Sequence, residues 1–69
     1  MTYDDLRCEL ERLVETYVSD ALERGRLLIL VKADEIPVKG ILSDLNHYMP
    51  DAISDSDADV IKEIVFNFC

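Results

Sequence analysis

The chain has 69 residues, fifteen acidic and seven basic side chains, and a formal net charge of −8. A chain of this length forms at most one domain, 1–69, and its negative charge disfavours direct binding to nucleic acid or to anionic lipid. No signal-peptide pattern opens the sequence, and its longest apolar run, residues 27–31, is far shorter than the roughly 20 residues that cross a bilayer. These features predict a cytoplasmic protein, and the hydrophobic content of 49% predicts that it folds.

The first segment has the periodicity of an amphipathic helix that runs from Tyr3 to about Arg24. Thr2 and Asp5 have the spacing of a capping box, and Gly25 after Arg24 is a typical helix end. The apolar residues recur at steps of three and four and define one side of this helix. They are Tyr3, Leu6, Leu10, Leu13, Val14, Tyr17, Val18, Ala21 and Leu22.

The apolar run 27–31 fits either a buried strand or a buried helix, because a short continuous run has no periodicity. A strand would need a partner, which the segment 64–68 or a second copy of the chain would supply. We favour a helix, because the residues 32–35 continue the run without a turn signal.

A third helix is predicted after Asp34, a capping residue, with Pro37 in the first turn, where its missing amide is harmless. Pro50 and Asp51 are expected to end it. Its apolar side is formed by Ile36, Ile41, Leu42, Leu45, Tyr48 and Met49.

A last helix follows Ser54, Asp55 or Ser56, any of which can cap it. Its apolar positions are Val60, Ile61, Ile64, Val65 and Phe68. The sequence therefore predicts an all-α fold, either a helical hairpin or a domain of three to four helices, with a short strand at 27–31 as the alternative.

Three aspartates at alternating positions, Asp55, Asp57 and Asp59, resemble the opening of a calcium-binding loop. The sixth position of that loop is Val60 instead of glycine, and the twelfth is Phe66 instead of glutamate. We therefore interpret these residues as the acidic start of a helix.

No catalytic, cofactor or metal site is predicted. His47 lies within one helical turn of Ser43 and Asp44, and three neighbours on one turn do not converge as a catalytic triad must. Cys8 and Cys69 lack the clustered spacing of a zinc site, and we interpret both as reduced thiols. The sequence therefore predicts a protein that is not an enzyme.

Ala21, Gly25 and Val31 have the four- and six-residue intervals of helix-turn-helix proteins. The recognition helix would then present the apolar residues 27–30 to a polar groove, with few cations to contact phosphates. DNA binding by this motif is therefore disfavoured.

The excess of negative charge lies in two segments, 2–24 and 51–63, each of which has four more acidic than basic residues. A solvated helix surface is the simplest interpretation, and an acidic surface that meets a basic partner is the functional one. We predict that an aromatic residue and the neighbouring carboxylates bind this partner. These residues are Tyr48, Asp51, Asp55, Asp57 and Asp59.

A domain of this size buries only about 60% of the surface that its unfolded chain exposes, and this chain has no predicted disulfide or metal to support it. We therefore predict a homodimer, joined by the stripe of the first helix and the apolar run. The predicted contact residues are Leu6, Leu10, Leu13, Tyr17, Leu28 and Leu30.

In length, acidity and helical layout, the whole chain resembles the small early proteins with which bacteriophages inhibit host regulators. It is most similar to the anti-quorum-sensing type, which binds a LuxR-type transcription activator. The resemblance implies a homodimeric helical protein that covers the activator's DNA-binding domain, with the assembly ATPase of type IV pili as a further partner. An anti-CRISPR-type inhibitor of a nucleic-acid-binding complex has the same profile, and a small structural or chaperone-like adaptor is a further alternative.

Overall fold

The computed structural model describes residues 1–50 and 53–68 and contains four helices in this part of the chain. No strand occurs in these residues, so the predicted all-α fold is confirmed, and the run 27–31 is helical. The helices are α1 (Tyr3–Tyr17), α2 (Ala21–Val31), α3 (Val38–Tyr48) and α4 (Asp55–Phe68).

The first predicted helix is in fact two helices, so the prediction of one helix up to Arg24 was wrong. α1 ends at Tyr17, and Val18 has an extended backbone. The Asp20 carboxylate then accepts hydrogen bonds from two N–H groups of the first turn of α2, at 2.9 and 3.3 Å. These bonds satisfy two of the free amides of a new helix, which stabilises the break.

Gly25 lies in the interior of α2 and does not end a helix, contrary to the prediction. Its φ is not positive, and a Cβ built on it would meet nothing within 4 Å. A helix tolerates an interior glycine at a cost of about 1 kcal/mol relative to alanine. The apolar run that follows it buries Leu27 and Val31, which offsets this cost.

The predicted helix starts are partly confirmed. Thr2 and Asp5 form the capping box, with hydrogen bonds of 3.1 and 3.2 Å. Ser54 accepts a hydrogen bond from the N–H of the third residue of α4 at 3.2 Å, which is the geometry of a cap. Asp34, by contrast, does not cap α3, because the chain turns between 32 and 35 and α3 begins only at Val38.

All four helices contribute to a single core. α1 supplies the largest share, with four of its side chains buried, whereas α4 supplies one fully buried apolar side chain, Ile64. The buried hydrophobic residues are Leu6, Leu10, Leu13, Val14, Val18, Leu27, Val31, Ile36, Val38, Ile41, Leu45 and Ile64.

One polar and one aromatic contact join the ends of helices to one another. The Arg7 guanidinium on α1 donates to the carbonyls of Val31 and Ala33, at 3.1 and 3.0 Å, and so satisfies free carbonyls at the end of α2. The Tyr3 ring, at the start of α1, lies 6.1 Å from the ring of Phe68 at the end of α4. The first and last helices therefore meet at their outer ends.

Within the residues described, no helix combines the length and apolar character that a membrane span requires.

Candidate binding surfaces

The structure separates the residues that the sequence grouped into one partner-binding site. Asp55 and Asp59 are exposed one turn apart on α4, whereas Asp57 lies on the opposite side of the same helix and is 8% exposed. Tyr48 is half-buried at the end of α3. Asp51 lies outside the described residues.

Asp57 holds α4 against α1. The Tyr17 hydroxyl donates a hydrogen bond to one carboxylate oxygen, and Arg12 Nη1 lies 2.8 Å from the other. The hydrogen bond from Tyr17 and the interaction with Arg12 lower the pKa of the Asp57 carboxyl. The prediction that Asp57 is a free surface carboxylate was therefore wrong, because both of its oxygens already have partners within the chain.

We expect the free energy of unfolding to fall as the pH drops below the ordinary carboxyl pKa of 3.8, in part because Asp57 becomes protonated. The folded-state pKa is lower than the unfolded one, so this stabilisation is complete above 3.8 and is lost as the pH falls through the folded-state pKa. Asp5, whose pKa is lowered by its hydrogen bonds with Thr2, contributes in the same range.

Urea unfolding followed by circular dichroism, from neutral pH to about pH 2, measures this dependence. Asp57→Asn should be less stable than the wild type at neutral pH and should show a flatter pH profile. Asp55→Asn is the matched control on the exposed side of α4 and should keep the wild-type profile. If the wild type and Asp57→Asn had identical pH profiles, Asp57 would not be a cause of the loss of stability at acidic pH.

Tyr48 belongs to a different neighbourhood from the α4 carboxylates. Burial raises the pKa of its hydroxyl, and so do the nearby carboxylates Glu23 and Asp20. The other charged groups that act on Tyr48, Arg26 and Asp44, also belong to α2 and α3. Tyr48 therefore lies beside the start of α2 and not within the acidic cluster with which the sequence grouped it.

The predicted dimer contact lies largely inside the chain's own core. Leu6, Leu10 and Leu13 have no exposed surface, because the other helices of the same chain cover them. Leu28 and Leu30 are half-buried and pack against this core, and Tyr17 is half-buried and bonded to Asp57. In this fold a second copy cannot contact the three buried leucines, so their assignment to a dimer interface is corrected.

The exposed side of α4 combines an aromatic residue with charged residues, and we call it the α4 outer face. Phe66 is 89% exposed and lies on the same side of the helix as Asp55 and Asp59, at steps of four and seven residues. The complete α4 outer face consists of Asp55, Asp59, Lys62, Glu63 and Phe66. Phe66 was not among the predicted binding residues, although its position outside the apolar stripe of α4 indicates that it is exposed.

The exposed side of α2 carries two large apolar side chains, and we call it the α2 outer face. Leu22 is 87% exposed and Ile29 is 72% exposed, and their separation of seven residues places them on the same side of the helix. Gly25 and Arg26 lie between them. Periodicity had assigned Leu22 to the core stripe, because the break at Asp20 and the new direction of α2 are not visible in the spacing.

The arginines leave much of the acidic surface without an ion pair. Arg12 and Arg26 each bridge two carboxylates. Within the described residues, several carboxylates on the exposed sides of α1 and α4 have no such partner. They are Asp4, Glu11, Glu15, Asp55, Asp59 and Glu63.

The residues whose spacing resembles a metal or DNA-binding motif do not form such a site in the described part of the chain. No group of three potential metal ligands occurs there, and Asp57 is turned away from Asp55 and Asp59. His47 and Cys8 are both exposed on separate helices. The helix-turn-helix spacing falls entirely within α2, so its three positions do not span a turn.

No family model matches the chain, and comparisons with characterised proteins and with solved structures give no match either.

Proposed function

We propose that this protein is a non-enzymatic inhibitor that covers the basic surface of a nucleic-acid-binding host protein with its α4 outer face. The observation that carries the proposal is the exposed Phe66 beside carboxylates that have no ion pair in the described structure. Aromatic anchors supply much of the energy of protein interfaces, and surrounding charges steer the encounter with an oppositely charged partner. The α4 outer face has both an aromatic anchor and surrounding charges.

The acidity of the chain explains why such a partner would lose its nucleic acid. A basic DNA-binding surface attracts phosphates through the same electrostatics that would attract Asp55, Asp59 and Glu63. Binding of the protein and binding of DNA would therefore be mutually exclusive. The resemblance to phage inhibitors of quorum sensing makes a LuxR-type activator the first partner to test, with a pilus assembly ATPase as the second.

Displacement of operator DNA from a purified LuxR-type activator tests the proposal, with fluorescence anisotropy of labelled DNA as the measurement. We expect the protein to displace the DNA stoichiometrically, and we expect its own association with the activator to slow as the salt concentration rises. Failure to displace DNA at any salt concentration would refute the LuxR-type target. A basic nucleic-acid-binding complex of the anti-CRISPR type is then the next candidate.

The double substitution Asp55→Asn with Asp59→Asn should lower the association rate severalfold and leave the dissociation rate nearly unchanged. Surface plasmon resonance with the activator separates the two rates. Asp34→Asn with Glu35→Gln is the matched control, because it changes the net charge by the same amount at exposed residues between α2 and α3. An equal effect of both pairs would show that only total charge matters. If neither the salt concentration nor either pair of substitutions changes the association rate, the result favours the adaptor alternative, in which the contacts are apolar.

A further inference from the structure

A groove lies between the end of α3 and the first two turns of α4. Both helices pack on α1, whereas α3 and α4 make few direct contacts with each other in the described residues. The groove has a volume of about 400 Å³, within the roughly 300–1,000 Å³ that is usual for small-molecule sites. Its lining includes four half-buried apolar residues and one exposed polar residue from each helix. These residues are Met49, Ile53, Ala58 and Ile61, with Asn46 on α3 and Lys62 on α4.

The apolar part of the groove is formed by side chains that the core covers only in part. Met49 and Ile61 pack against the core, yet each keeps some of its surface exposed and lines the groove. An apolar chain placed there would remove this surface, and its own, from water, which is the main driving force for binding in such sites. The groove therefore suits a ligand with an apolar tail.

The charge at the groove favours an anion, although the chain as a whole is acidic. Lys62 is the one charged residue of the lining and the one basic residue of α4. Among the residues that the structure describes, no carboxylate forms an ion pair with it. Its ammonium can pair with a carboxylate of the ligand, and the Asn46 amide can donate a hydrogen bond to the same group. A cationic ligand would instead meet a like charge.

We propose that this groove binds a small amphipathic anion with a short apolar tail and a carboxylate head group. The tail lies against Met49 and Ile61, and the head group pairs with Lys62. This inference does not rest on the proposed inhibitory function, because Asp59 and Phe66 of the α4 outer face do not line the groove. A basic partner protein is also a poor occupant, since its cations would approach Lys62.

Titration of the isotope-labelled protein with octanoate, followed by the amide chemical shifts in nuclear magnetic resonance spectra, tests the site. We expect saturable shift changes that are largest at the amides of Ile53, Ala58 and Ile61. Octylamine and octanol are the matched probes, because they have the same tail with a positive and a neutral head group, and both should bind more weakly than octanoate. The net charge of −8 alone would favour octylamine. Tighter binding of octylamine, equal binding of octanoate and octanol, or the absence of saturable shift changes would overturn the proposal.

The role of Lys62 is tested by removing its charge. Lys62→Gln should weaken octanoate binding roughly threefold to fivefold, the range of a partly exposed ion pair, and should leave octanol binding unchanged. Lys32→Gln makes the same change of charge at an exposed residue at the end of α2 and should bind octanoate like the wild type. Equal weakening by the two variants would show that total charge determines the binding, and this result would overturn the proposal.

The position of the tail is tested by filling the groove. Ala58→Leu places a larger side chain in the lining and should weaken octanoate binding roughly tenfold or more. Leucine is a strong helix former, so circular dichroism should show that the helices persist. Ala21→Leu makes the same substitution at an exposed residue of α2 and should leave octanoate binding unchanged. Wild-type octanoate binding by Ala58→Leu would place the tail outside the groove and would overturn the proposal.

Discussion

Replacing Ile64 by alanine is expected to lower the free energy of unfolding by about 2–5 kcal/mol. Ile64 is the one apolar side chain of α4 that is fully buried in the described structure, so its truncation leaves a cavity between α4 and the other helices. A small domain has a total stability of roughly 5–15 kcal/mol, so the loss is a large part of what holds α4 in place. α4 should therefore detach before α1–α3 unfold, or the whole chain should unfold at much lower urea concentration.

Urea unfolding followed by far-ultraviolet circular dichroism, together with hydrogen exchange of the α4 amides, checks this expectation. Val65→Ala is the control on the neighbouring position, since Val65 is 46% exposed and its truncation should cost far less. If Ile64→Ala unfolded at the same urea concentration as Val65→Ala, α4 would be anchored mainly by the polar contacts of Asp57 and not by the core.

The second large effect is expected in binding. Phe66→Ala should weaken the complex with the basic partner on the order of thirtyfold, the loss of about 2 kcal/mol that is typical when an aromatic anchor is removed. The loss should appear as faster dissociation, in contrast to the slower association expected for the aspartate variants. Because Phe66 is 89% exposed, the fold itself should be unaffected.

Surface plasmon resonance and circular dichroism together check the binding prediction. Phe66→Tyr keeps the ring and should retain most of the affinity, which distinguishes loss of the aromatic anchor from a general disturbance of α4. Tyr48→Ala is a second comparison, because the sequence had assigned the anchor to Tyr48. If Tyr48→Ala weakened the complex more than Phe66→Ala, the partner would bind at the junction of α2 and α3 and not at α4.

The helical character of the chain was predictable because its apolar residues follow the period of a helix almost throughout. The break between α1 and α2 was not predictable, since Val18 stays in phase with the apolar stripe. Val18 is buried although its backbone is extended. Spacing alone does not distinguish a continuous helix from two helices that share a phase. The deciding interaction is the local hydrogen bonding of Asp20, a capping residue that directly precedes the strong helix formers Ala21 and Leu22.

The acidic character of the candidate site was predictable from the sequence, but the residues that form the site were not. The acidic start of α4 was recognised, yet Asp57 was counted with Asp55 and Asp59, although it shares the helix side of Ile61 and Ile64. Its partner Tyr17 lies 40 residues away in the chain. A pairing across that distance depends on how α1 and α4 pack and leaves no trace in local sequence patterns.

The contact between Tyr3 and Phe68 has a consequence for how the chain acquires its structure during synthesis. The ribosome releases α1 before α4, so the part of α1 that packs against α4 stays uncovered until α4 has been synthesised. Local helix formation can begin early, but the closing contact forms only after Phe68 has left the exit tunnel. Until that moment the nascent chain exposes apolar surface that the finished fold conceals, and a translational pause before α4 would prolong this exposure.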